Sequence, residues 1–117
     1  MSDAPGYIVR IERTFSAPAE AVFDAWTSAE VMRRPDGTRA AAHGEYRVID
    51  RPRRLVMVWT FDDLPSNAQL IELTFSESEG ATTVLMVNSG ILSEPRRESQ
   101  QLGWRECLNE LERLLTG

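Results

Sequence analysis

SEPRRESQQLGWRECLNELERLL, residues Ser93 to Leu115, is the stretch from which the fold can be read. At about 100° per residue, Trp104, Cys107, Leu108, Leu111, Leu114 and Leu115 share one face. Arg105, Glu106, Asn109, Glu112 and Arg113 take the other, with Glu110 at the margin. The spacing predicts an amphipathic helix whose apolar stripe is headed by a tryptophan. Ser93 can cap it, and Pro95 is tolerated in a first turn whose backbone N–H groups lack partners in any case. A stripe of this width must be buried against something, and most of what precedes it reads as strands.

Tyr7 to Phe15 alternates, with Val9, Ile11, Arg13 and Phe15 on one parity. Ser16-Ala17-Pro18 starts a helix with Pro18 expected at its first position, Glu20 in its first turn, and Val22, Phe23 and Trp26 on its buried face. Thr27-Ser28-Ala29-Glu30 fits a capping box, so a second short helix is expected to run to about Arg33, ended by Pro35-Asp36-Gly37. Strands are then predicted at Gly44–Asp50, Leu55–Phe61, Gln69–Glu77 and Thr82–Asn88. Trp59 and Phe61, and Ile71, Leu73 and Phe75, take the inward parities of the third and fourth strands. The order β-α-α-β-β-β-β-α gives an α+β fold with an antiparallel meander, and residues 1–117 are expected to form a single domain.

Composition narrows the function classes. A net charge of −5 argues against a nucleic-acid partner, although Arg33 to Arg54 is locally basic. No apolar run approaches a membrane span, and MSDAPG lacks the build of a signal peptide, so a cytoplasmic location and no membrane partner are expected. Cys107 is the single cysteine, placed on the helix stripe as a small core hydrophobe. His43 is the one histidine, which leaves no His-based metal cluster and at most one imidazole for acid–base work. No phosphate loop, nucleophile elbow or Cys/His metal spacing occurs. The pairs Asp62-Asp63 and Glu77/Glu79 fall in a predicted loop and around a predicted turn, where carboxylates are normally solvated. No cofactor, metal or catalytic residue is expected.

Four stretches carry a family resemblance: RTFSAPAEAVFDAWTSAE (13–30), HGEYRVIDRPRRLVMVWTF (43–61), TTVLMVNSG (82–90) and GWRECLNELERLL (103–115). In this order they resemble the heat-shock-protein-90 ATPase activator homologues of the SRPBCC superfamily. The resemblance implies the START-like helix-grip fold, in which a curved antiparallel sheet, of about five strands here, grips a long C-terminal helix. It also implies an apolar cavity between the two, closed at one end by two short helices. Candidate lining residues are then Trp26, Trp59, Phe61, Trp104 and Leu108, with Arg13, Tyr46 and Asn88 as inward polar groups able to orient a ligand. Asn88 stands where relatives often show histidine, which lowers the expectation of acid–base chemistry.

The chain departs from the family pattern twice. Arg33-Arg34 runs straight into Pro35-Asp36-Gly37, so a helix end and one strand, roughly two dozen residues, are missing relative to relatives. Tyr46's strand is thereby expected to become a sheet edge. Val56, Val58, Leu85 and Val87 also occupy outward parities, and a run apolar on both faces suggests cover on both. The convex face or the new edge is therefore an expected homodimer contact, against the plain reading of normal scattered aliphatics on a monomer. The leading functional expectation is a non-enzymatic module binding a small hydrophobic molecule. A co-chaperone-like or other protein-interaction role comes second, and a polyketide cyclase or dehydratase-like enzyme third.

Overall fold

A computed structural model of the protein describes residues 6–27, 42–61 and 68–116, apart from the side chains of 42–44 and 61. The elements are β1 (Tyr7–Phe15), α1 (Ala19–Trp26), β2 (Ala42–Asp50), β3 (Arg54–Phe61), β4 (Ala68–Ser78), β5 (Ala81–Ile91) and α2 (Glu94–Thr116). The five strands form one antiparallel sheet in the order β1-β5-β4-β3-β2. The second short helix, the loop it was expected to end in, and the Asp62-Asp63 pair fall outside the described residues.

Alternation builds the sheet's inner face. Val9, Ile11 and Phe15 of β1, Leu55, Met57 and Trp59 of β3, Ile71, Leu73 and Phe75 of β4, and Val84, Met86 and Ile91 of β5 are all buried. Against them lie Val22, Phe23 and Trp26 of α1 and Trp104, Leu108 and Leu111 of α2, and together these close one core. The long helix packs on β1, β5 and α1, at one side of the sheet. Leu114, near the edge of the predicted stripe, is 38% exposed.

Both helices begin as local chemistry dictates, with one correction. Ser93 Oγ accepts the Arg96 N–H at 3.4 Å at the head of α2. Pro18 is the N-cap of α1 rather than its first helical residue, with extended backbone at φ −69° and ψ 157°. A proline side chain has no acceptor, so Glu77 Oε1 of β4 takes the Ala19 N–H at 2.7 Å. Glu77 is thus a helix cap rather than a merely solvated turn residue. Thr82 Oγ1 donates to Ala17 O at 2.7 Å and ties the same corner to β5. At the other end of α1, Thr27 Oγ1 donates back to Asp24 O at 3.0 Å.

Two glycines are dictated by backbone conformation. Glu79 and Gly80, with φ +53° and +81°, make the two-residue hairpin between Ser78 and Ala81. Gly90, at φ +89°, sits where the β1–β5 register shifts between Tyr7 and Val9. This irregularity lets Asn88 and Ile91, three residues apart, both face the core. A Cβ at Gly90 would meet Gln69 Cα at an ordinary 3.5 Å, so the cost of Gly90→Ala is conformational. Urea denaturation should show a loss of about 1–2 kcal/mol.

The convex face exposes less aliphatic surface than alternation alone suggested. Val56 is only 7% exposed, and Val58, Leu85 and Val87 are half-buried. Glu72 pairs with Val56 across β3 and β4, and the Arg54 guanidinium bonds Glu72 Oε2 at 2.7 and 2.9 Å, laying a charged strap beside these valines.

Candidate binding site

Three tryptophans far apart in sequence meet over the inner face of the sheet. Trp26 comes from the last turn of α1, Trp59 from β3 and Trp104 from the middle of α2. The Trp26 and Trp104 rings stack with centroids 6.0 Å apart and planes 22° from parallel. Trp59 tilts against Trp104 at 5.7 Å and 56°. All three are at least 93% buried, as is Leu108, one turn after Trp104. Offset and tilted pairs are the favoured arrangements of aromatic rings.

Beside this wall lies a buried amide cluster. Asn88, fully buried on β5, donates through Nδ2 to Gln69 Oε1 at 3.1 Å and to Leu70 O at 3.4 Å. Its Oδ1 accepts from Gln100 Nε2 at 2.6 Å and from Trp104 Nε1 at 3.0 Å. Gln100 Nε2 also donates to Gln69 Oε1 at 2.8 Å, and Gln69 Nε2 donates back to Gln100 Oε1 at 3.2 Å. Both N–H bonds and both lone pairs of the Asn88 amide are therefore occupied. Burying such a group without partners would cost roughly 2–7 kcal/mol; here the three amides satisfy one another.

The remaining candidates fall elsewhere. Arg13 reaches α2, donating to Asn109 Oδ1 at 2.7 Å and to Glu112 Oε1 at 2.5 Å, with its guanidinium carbon 5.7 Å from the Phe15 ring centroid. Its charge is engaged by the helix rather than presented beside the tryptophans. Tyr46 pairs with Met57 and shares its inner face, yet it is 45% exposed. β2 is the strand furthest from β1, where α2 packs, so the helix does not cover Tyr46. The partial burial it does have raises the phenol's pKa. Phe61 pairs with Ala42 through its backbone, and His43 with Thr60; both side chains lie outside the described residues. Gln69 and Gln100 were not among the sequence candidates. Gln69 shares the parity of Ile71, Leu73 and Phe75, and Gln100 lies one turn before Trp104 on the same helix face, so the positional signal was there.

No acid–base pair lies among the described residues that form the site. Among the described residues, no three His, Cys, Asp or Glu side chains are grouped as a metal ion would require. No helix among them is long and apolar enough to cross a membrane. Asp24 has its carboxyl held below the usual range, first by the hydrogen bonds from Arg51 at 2.8 and 3.0 Å. That pair fastens α1 to the β2–β3 turn, away from the tryptophans. Burial, and secondarily Glu106, pushes the Cys107 thiol from 9.0 up to about 11. At pH 8 its thiolate population is then about a hundredfold below that of a free thiol. Iodoacetamide should label native protein correspondingly slowly, and full rates should return in denaturant. Because folding favours the neutral thiol, its contribution to stability holds below pH 9.0 and declines as pH rises towards 11.

Comparison with known proteins places this geometry. The family model described as "Activator of Hsp90 ATPase homolog 1-like protein" matches residues 30–116. The chain belongs to this family. Solved structures agree on the fold. An HSP90 activator from Plasmodium falciparum superposes with a TM-score of 0.80 at 23% identity, over 95% of this chain and 97% of that one. Protein CV1439 from Chromobacterium violaceum gives 0.79 at 21%, over 92% and 95%. DynU16, a protein of the dynemicin biosynthetic locus, gives 0.79 at 18%, over 96% of this chain and 48% of its own. At these identities the likeness to solved structures establishes the helix-grip fold alone. No curated protein matches the sequence. The activator-homologue family thus supplies the architecture on which this chain's tryptophan wall and amide cluster are built.

Proposed function

We propose that this activator-homologue chain binds a small hydrophobic molecule against its tryptophan wall and performs no chemistry on it. The observation that carries the reading is the convergence of Trp26, Trp59 and Trp104 from three separate elements. Large rigid rings make a good apolar wall, and the adjoining Asn88 and Gln100 have no N–H left to offer an anion. A flat, uncharged ligand suits this environment best. Because the rings are packed on one another here, a ligand enters by parting them, and binding therefore reports on tryptophan emission.

The test uses N-phenyl-1-naphthylamine, a neutral fluorescent probe. Saturable binding with a change in tryptophan emission is expected, weakened at least tenfold in Trp59→Ala. A folded Trp59→Ala protein that binds the probe like the wild type would overturn the site. A chain that binds no such probe would overturn the reading.

A second reading, contact with another protein and most simply a second copy of this chain, draws on the β2 edge. Among the described residues β2 pairs only with β3, and Ile49 and Tyr46 are 63% and 45% exposed on it. An unpaired edge beside exposed apolar side chains favours strand pairing. Light scattering that finds only monomer at high concentration would remove the homodimer form of this reading.

A further inference from the structure

We propose that Gln69, Asn88 and Gln100 act together as a positioning network that sets the orientation of Trp104, and through it the whole tryptophan wall. This inference stands independently of any ligand. Apolar burial is non-directional, so an apolar stripe alone specifies the rotation and axial position of a helix less sharply than directional bonds do. Hydrogen bonds are directional, and here they run in a connected series from sheet to ring. Asn88 is anchored by its two N–H bonds to Gln69 and to the Leu70 carbonyl of β4. Its one oxygen then takes two donors from successive turns of α2, Gln100 Nε2 at 2.6 Å and Trp104 Nε1 at 3.0 Å. Two points one turn apart, gripped by one atom, fix both the rotation and the axial position of the helix. Gln100 closes the series by exchanging hydrogen bonds with Gln69 in both directions. Trp104 passes the setting on, since it is the ring that both Trp26 and Trp59 touch.

A second polar tether of α2, Arg13 to Asn109 and Glu112, differs in kind. It lies at the surface, where water competes and salt screens. It holds the helix end without reaching the rings. Among the described residues, it is the buried cluster that bonds the Trp104 ring. Buried networks in which every member is satisfied rigidify the structure around them.

Gln100→Met tests this, because it keeps the side chain's length, removes its hydrogen bonds and leaves the Trp104–Asn88 bond partners in place. The readouts are near-ultraviolet circular dichroism and the three indole N–H signals in a ¹H–¹⁵N spectrum, assigned with single Trp→Phe variants. The expected result is far-ultraviolet dichroism as in the wild type, at least a twofold loss of the near-ultraviolet signal, and a displaced Trp104 indole resonance. Arg13→Met should leave all three unchanged. A folded Gln100→Met protein whose indole signals superpose on the wild type would overturn the proposal. Should that variant not fold, hydrogen exchange in the unmodified protein decides. The Trp104 indole N–H is expected to exchange at least a hundredfold more slowly than free indole, and exchange at the free rate would overturn the proposal. All measurements are made without ligand, so failure of the binding reading leaves this result standing.

Discussion

Trp104→Ala is expected to lower the unfolding free energy by about 3–5 kcal/mol, the range for deleting a buried tryptophan from a core. The ring is 5% exposed, touches two other indoles and fills the middle of the helix–sheet interface. Its removal leaves a hole between α1, β3 and α2 and takes one of two donors from Asn88 Oδ1. The neighbouring rings come from different elements, so they cannot close the gap without moving a backbone. Leu102→Ala is the matched control two residues away on the same helix. Leu102 is 66% exposed, and the change should stay within about 0.5 kcal/mol apart from helix propensity. Urea unfolding followed by circular dichroism measures both, and a Trp104→Ala loss below 1 kcal/mol would contradict the packing described.

Asn88→Asp should turn stability into a steep function of pH. In the native protein Asn88 Nδ2 faces two acceptors, Gln69 Oε1 and the Leu70 carbonyl. An aspartate oxygen in that place can keep a hydrogen bond only by holding a proton. Complete burial penalises the charged form as well. The folded pKa of the new carboxyl therefore lies above its unfolded value near 3.9. The sign follows: the variant is most stable below the unfolded pKa and loses stability as pH rises through the folded one. Between those limits the slope is about 1.4 kcal/mol per pH unit. Denaturation midpoints measured from pH 4 to pH 8 should fall steadily for the variant relative to the wild type. A constant difference across that range would show that the two donors on Oδ1, Gln100 Nε2 and Trp104 Nε1, suffice to hold the carboxylate.

How far these residues could be read in advance depends on what alternation and helical spacing measure. Both report which positions face inward, and they placed the strands of Ile71, Leu73 and Phe75 and the stripe of Trp104, Leu108 and Leu111 correctly. They also put Asn88 inside. They did not bring out Gln69 or Gln100, which hold inward positions but whose residue type is usually a surface one. Nothing along the chain reveals that three amides on β4, β5 and α2 will satisfy one another; only the fold makes their burial affordable. Tyr46 shows the converse limit. Its parity is inward, but parity does not say that its strand is furthest from the helix. Arg13 also has an inward parity and was expected to be able to orient a ligand, but Glu112, nearly a hundred residues away, engages its charge. The helix cap from Glu77 was equally invisible, because Pro18 looked like an ordinary first helical residue.

That cap bears on the order in which the chain can assemble. An eight-residue helix is too short to persist on its own in water, and α1 has no side-chain acceptor at its own head. Its first N–H is satisfied by a carboxylate 58 positions later, and the Ala17 carbonyl just before it by a hydroxyl 65 positions later. Although α1 is made early in synthesis, it therefore becomes secure only after β4 and β5 have paired. Trp26 joins the wall with it, so α1, second in the sequence, is expected to settle after the β4–β5 hairpin rather than before it.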